Sequence, residues 1–202
     1  MIIGILIFDG AEELDFVGPW EVFTMSNQLH EHFGNDTRDT VLLISEDGGA
    51  VRCAKGMRVL SDHAIADCPD LDILLVPGGQ GTRTEVHNRA MLEFIGRQAT
   101  HCEWVTSVCT GAFLLVAAGP AKGKRVTTHW AAFDELAQID GVGEMVRDAR
   151  FVRDGNLITA AGVSAGIDMA LWLTGERFGE KHGYAVQRGM EYDPEPPFAK
   201  PA

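Results

Sequence analysis

A cysteine closes an apolar run and is followed at once by small residues, in the segment Ser107-Val108-Cys109-Thr110-Gly111-Ala112. This pattern sets the thiol of Cys109 where a strand ends and lets a helix begin closely packed, the arrangement of a nucleophile elbow. Unpaired amide N–H groups and the helix dipole at such a turn favour a thiolate, so the sequence predicts a Cys109 pKa lowered from about 8.5 into the range of about 3.5–7.5. Two further segments carry complementary chemistry. Val76-Pro77-Gly78-Gly79 follows an apolar run directly, and its consecutive glycines allow backbone amides to approach a ligand. The amides of Gly79 and Thr110 are expected to stabilise negative charge on an atom attacked by Cys109. Leu14-Asp15-Phe16-Val17-Gly18-Pro19 places a carboxylate beside a helix start. Asp15 then serves either as a cap or first-turn acid, or as the group that shares a proton with the thiol. On spacing alone Asp9, Glu12 and Glu13 are equal candidates for the second role.

His129 follows a short strand-like run at 125–127 and is read either as a group approaching the site or as a capping and packing residue. Trp130, next to it, is a pocket wall or a packing residue. The other histidines, at 30, 32, 63, 87, 101 and 182, are read as solvated, with no metal-ligand spacing among them. Cys53, Cys68 and Cys102 form neither a CxxC pair nor a zinc pattern with histidine, and four free thiols are expected in all.

The elements that must position these residues read as an α/β alternation. Strands are expected at 2–8, 40–45, 73–76, 104–108 and 157–159, with 149–153 pairing beside the last, and helices at 18–33, 85–99, 111–118, 129–137 and 165–178. Asp154-Gly155-Asn156 is a hairpin turn that adds an antiparallel excursion. The proline-rich tail from 192 to 202 is expected to be extended. Because ligands in open α/β sheets collect beyond the carboxyl ends of the strands, the three segments above are the shortlist for chemistry.

The 202 residues, 46% hydrophobic, suit one domain over 1–202 with a substantial core. A formal net charge of −12 opposes a basic face for nucleic acid. The apolar run at 2–8 lacks a basic flank and is too short for a signal-peptide core or a membrane span, so neither nucleic acid nor membrane is an expected partner, and a cytoplasmic location is.

Taken together, the segments resemble the ThiJ/PfpI superfamily. Leu14-Asp15 with Gly18-Pro19, Pro77-Gly78-Gly79, Thr106 to Gly111, Thr127-Thr128-His129-Trp130 and Arg153-Asp154-Gly155-Asn156-Leu157 look like its isocyanide hydratase branch, as do Ala165-Gly166-Ile167-Asp168 and the Glu191-Tyr192 to Phe198 tail. The resemblance implies a flavodoxin-like, glutamine-amidotransferase-like three-layer sandwich: a mostly parallel central sheet with helices on both faces. It also implies a nucleophile at Cys109, an acid/base partner at Asp15 and a supporting hydroxyl at Thr110, with Gly78, Gly79, His129 and Trp130 around the substrate. The implied reaction is hydration of an isocyanide to an N-substituted formamide through a covalent thioimidate, without metal or organic cofactor. A small-molecule substrate and a homodimer are the implied partners. Protease-like members have a histidine directly after the cysteine; Thr110 stands there, which argues against peptidase chemistry. Two other readings stand beside the hydratase. One is a glyoxalase or deglycase acting on reactive carbonyls. The other is a redox or ligand sensor like the sensory domains of arabinose-regulator-type transcription factors, without the helix-turn-helix that normally follows them.

Overall fold

The computed structural model describes residues 1–32, 38–195 and 198. Strands β1 (Ile2–Leu6), β2 (Thr40–Ser45), β5 (His63–Ala64), β6 (Ile73–Val76), β7 (Trp104–Val108), β8 (Phe151–Asp154) and β9 (Leu157–Ala160) form one sheet in the order β5-β2-β1-β6-β7-β9-β8. All pairings are parallel except β8 with β9. A separate antiparallel ribbon joins β3 (Ala50–Arg52) to β4 (Arg58–Leu60). Every residue of β6 and β7 is buried, as expected for strands covered on both faces, whose sequences need not alternate.

Helices α1 (Glu13–His32), α6 (Ala165–Phe178) and α7 (Glu180–Gly189) pack on one another along one face of the sheet. On the other face α3 (Arg89–Ala99) packs on α4 (Gly111–Ala118), with the single turns α2 (Thr82–Glu85) and α5 (Phe133–Leu136) at the periphery. The chain leaves β1 toward β2 on one side and returns to β6 on the other, so the strand order reverses between β1 and β6. The crevice beyond the carboxyl ends of strands at such a reversal is where α/β sheets bind ligands.

Several expected boundaries shift for local reasons. Helix α1 begins at Glu13 rather than at 18, running through Pro19, whose ring is buried; Phe33 lies outside the described residues. The expected helix 85–99 is broken where Asn88, extended, caps α3 by accepting the Met91 N–H at 3.3 Å. Of the helix expected at 129–137 only the turn Phe133–Leu136 forms, and the strand-like run at 125–127 is a lone bridge between Val126 and Met145. The β8–β9 hairpin pairs Asp154 with Leu157, with Gly155 at φ +66° in the turn. Most of the tail from 192 onward lies outside the described residues.

Candidate active site

Cys109 leaves β7 with φ 57°, a left-handed conformation that costs an L-residue about 1–2 kcal/mol and turns its side chain away from the strand direction. Three bonds hold this turn. Its N–H donates to the carbonyls of Ala160 (3.1 Å) and Ala161 (2.9 Å), and its own carbonyl accepts the Thr128 hydroxyl at 2.9 Å. The loop after β6 lies directly against it. A Cβ on Gly78 would stand 2.5 Å from the Thr110 nitrogen and 2.7 Å from the Cys109 Cβ, and one on Gly111 would collide with the Val76 carbonyl oxygen. The glycines are therefore required by close approach, and they bring the ends of two adjacent strands together.

Asp15 projects from the first turn of α1 and is fully buried. Its Oδ2 accepts the Gly78 N–H at 2.8 Å, while its Oδ1 has no ordinary hydrogen-bond partner and the carboxyl interacts with the Cys109 side chain. The competing acids are engaged elsewhere. Asp9 accepts the Arg52 N–H at 2.7 Å, Glu13 the Lys55 N–H at 2.8 Å, and Glu12 pairs with the Lys55 ammonium. Burial raises the Asp15 carboxyl to about 7, against the pull of the Gly78 N–H and with the Glu12 charge adding to the rise. Burial, and then the Asp15 charge, push the Cys109 thiol up to about 12, opposed by the Thr110 N–H and hydroxyl and the Val163 N–H. The expectation of a thiol lowered by the helix N-terminus alone is thereby corrected: desolvation and a neighbouring carboxylate outweigh the amides. Burial pushes both groups upward and the Asp15 charge pushes the thiol further, so the two titrate as a coupled pair.

Thr110 is buried and its hydroxyl oxygen is a hub. It accepts the Gly79 N–H (3.0 Å) and lies 3.0 Å from the Thr82 hydroxyl, 3.2 Å from the Gly79 carbonyl and 3.5 Å from Arg83 Nη1. The expected amide pair changes accordingly. The Gly79 N–H is spent on Thr110 and the Gly78 N–H on Asp15, so the amides that face the sulfur are those of Thr110 and Val163.

The His129 ring rests against Gly162, and its Nδ1 accepts the Ala131 N–H at 3.2 Å. Trp130 is 79% exposed, its ring tilted by 36° against that of His129 with centroids 5.5 Å apart. Val163, Thr82 and Arg83 were not singled out by sequence. Val163 has φ 51°, which nothing in its residue type signals, and Thr82 and Arg83 reach Thr110 across 28 and 27 positions. The four cysteines are unpaired thiols, and burial raises Cys53 and Cys68 to about 11 and Cys102 to about 12. His30 is buried rather than solvated, its ring stacked on His182 at 4.2 Å. Among the described residues, no three His, Cys, Asp or Glu side chains are grouped to hold a metal ion.

The chain is 40% identical over 196 residues, 97% of its length and 80% of the relative's, to the isonitrile hydratase of Pseudomonas putida. It is 28% identical over 194 residues to the transcriptional regulator GbdR of Pseudomonas aeruginosa, spanning 95% of this chain and half of that protein. A crystal structure of a ThiJ/PfpI family protein from Pseudomonas syringae superposes with a TM-score of 0.87 at 32% identity, covering 98% of this chain and 77% of that one. Residues 1–175 match the DJ-1/PfpI family, and the chain belongs to it.

Proposed function

We propose that the protein is a cysteine-dependent hydratase that converts an isocyanide to an N-substituted formamide. The observation that carries this reading is the fully buried Asp15 carboxyl beside Cys109, anchored by the Gly78 N–H at 2.8 Å, with burial pushing both groups upward. The 40% identity with an isonitrile hydratase supports the choice of substrate class. The terminal carbon of an isocyanide must gain a sulfur and a proton together. As the Cys109 sulfur bonds to that carbon, the pair's proton passes through Asp15 to the same carbon, giving a thioimidate and leaving Asp15 as a carboxylate. Asp15 then takes a proton from an attacking water and delivers it to the nitrogen. Collapse of the resulting tetrahedral adduct forms the formyl C=O and breaks the C–S bond, and the hydroxyl proton returns to the Asp15–Cys109 pair. No other acid and no cofactor is required for the balance of atoms.

The test is turnover of a panel of aliphatic and aromatic isocyanides by purified protein, with formamide measured directly. Cys109→Ala and Asp15→Ala are each expected to reduce the rate by at least about 10³-fold, and mass spectrometry of a quenched reaction should find the adduct on Cys109. Turnover that survives Cys109→Ala overturns the reading. Absence of turnover by the wild type, with formation of hydroxyacid from α-oxoaldehydes, would favour the carbonyl reading instead; selective peroxide oxidation of Cys109 alone would favour the sensor.

A further inference from the structure

We propose that Thr128 is a positioning residue for Cys109, its hydroxyl holding the carbonyl of the elbow so that the cysteine keeps its left-handed turn and presents its sulfur in one fixed direction. The proposal rests on the reading of Cys109 as nucleophile. The Thr128 side chain is buried, and its hydroxyl donates to the Cys109 carbonyl at 2.9 Å. In a continuous helix a carbonyl at this place would accept the N–H four residues on. Here the Phe113 N–H donates to the Thr110 carbonyl at 3.0 Å, and a side chain from a distant segment serves Cys109 instead. On the other side of the residue the Cys109 N–H donates to the carbonyls of Ala160 (3.1 Å) and Ala161 (2.9 Å). Both peptide groups flanking Cys109 are therefore tied down, which a φ of 57° on a residue with a Cβ requires.

The segment that delivers Thr128 is anchored at each residue before it. The Arg125 N–H donates to Asp154 Oδ2 at 2.9 Å, the Val126 N–H to the Glu144 carbonyl at 2.9 Å, and the Val126 carbonyl accepts the Val146 N–H at 2.8 Å. The Thr127 N–H donates to the buried Thr159 hydroxyl oxygen at 2.8 Å. After Thr128 the His129 ring fits against Gly162, where a Cβ would collide with it. Asp154 pairs with Leu157 at the hairpin, and Thr159 lies in register with Ser107 of β7. Strand β9 and its hairpin thus hold the elbow twice: directly, through the carbonyls that take the Cys109 N–H, and indirectly, through the side chains that fix the segment carrying Thr128. Such precision matters at a nucleophile, because a misplacement of about 1 Å at a reacting atom costs about 100-fold in rate.

Valine has the shape of threonine without its hydroxyl, and serine has the hydroxyl without the methyl, so two substitutions separate the bond from the packing. Thr128→Val is expected to lower kcat on an isocyanide by about 10–100-fold with KM within about twofold of the wild type, and Thr128→Ser to keep kcat within about threefold. Thr174→Val in α6, which takes an equally buried hydroxyl from the Ala170 carbonyl at 2.8 Å, should leave kcat unchanged. The same proteins are compared without substrate by hydrogen exchange and mass spectrometry. The peptide covering 109–113 should exchange at least about 10-fold faster in Thr128→Val than in the wild type, and as in the wild type in Thr128→Ser. If Thr128→Val fails to fold, Thr159→Val, which removes the acceptor of the Thr127 N–H, should lower kcat by about 3–10-fold. A Thr128→Val protein with wild-type kcat, or a Thr128→Ser protein as impaired as Thr128→Val, overturns the proposal. Absence of isocyanide turnover by the wild type would sink the hydratase reading alone, and the exchange comparison would then decide whether Thr128 holds the elbow.

Discussion

Asp15 holds its proton in the folded chain to about 7, whereas an unfolded carboxyl gives it up near 3.8. Its contribution to stability is therefore complete below about pH 4, declines as pH rises between the two values, and is a standing cost above the higher one. Replacing it with asparagine keeps an acceptor for the Gly78 N–H and removes the buried charge. Asp15→Asn should thus be more stable than the wild type at pH 8, by on the order of 2–4 kcal/mol, with the advantage vanishing at about pH 4. Thermal midpoints of both proteins across that range check this; a constant difference would mean that the carboxyl titrates as if exposed. Removing the negative charge should also bring the pH for Cys109 alkylation down. At this scale Cys109 was legible because a reactive residue between an apolar run and Gly111 is a local pattern. The choice of Asp15 among four acids was not, because it depends on what the β3–β4 ribbon and its Lys55 turn do to Asp9, Glu12 and Glu13. Nor was the raised thiol, since burial is decided by the whole fold.

At the scale of elements, runs rich in Ile, Leu and Val marked β2, β6 and β7, whose observed bounds match the expected ones, as do those of α4 and α6. The misses share a cause. Strands β3, β4 and β5 have two or three residues each, too few to show a period, and α7 carries Gly183 and Gly189 with a mostly polar surface. Gly183 is there because a Cβ would stand 3.1 Å from the Gly175 Cα, so the glycine that hides the helix from sequence reading lets it dock on α6. That docking is what buries His30. The helical layer is tied to the sheet by Arg177 of α6, which donates to both oxygens of Asp39 at 2.6 and 2.8 Å, both side chains being buried. Burial alone would raise Asp39, but the guanidinium and the Met1 amino group hold it below the ordinary carboxylate range. Arg177→Met should cost about 3–5 kcal/mol in urea unfolding at neutral pH, because a buried carboxylate loses its main partner, and the loss should shrink as acid protonates Asp39. A cost below about 1 kcal/mol would show that Met1 and water suffice.

For the whole molecule, the order β5-β2-β1-β6-β7-β9-β8 sets the ends of β1, β6 and β7 side by side, and these ends lead to Asp15, Gly78 and Cys109. Three segments far apart in sequence converge because the sheet reverses between β1 and β6. None of the helices among the described residues is long and apolar enough to cross a membrane. The proposed homodimer belongs to this scale. Trp130 at 79% exposure and, on α1, Trp20 and Leu14 each at 38% are exposed apolar side chains of the kind a second copy would cover. Sedimentation should give twice the 21.9 kDa of one chain, and quenching of tryptophan emission by acrylamide should increase on dilution; a chain-sized particle at all concentrations overturns the expectation.

The φ of 57° at Cys109 has an evolutionary corollary. Glycine would suit the backbone at this position better than the residue that is there, so a lineage released from selection for its thiol has a conformational incentive to discard it. On the hydratase proposal, relatives whose chemistry has lapsed should drift first at the elbow while the surrounding sheet stays as it was.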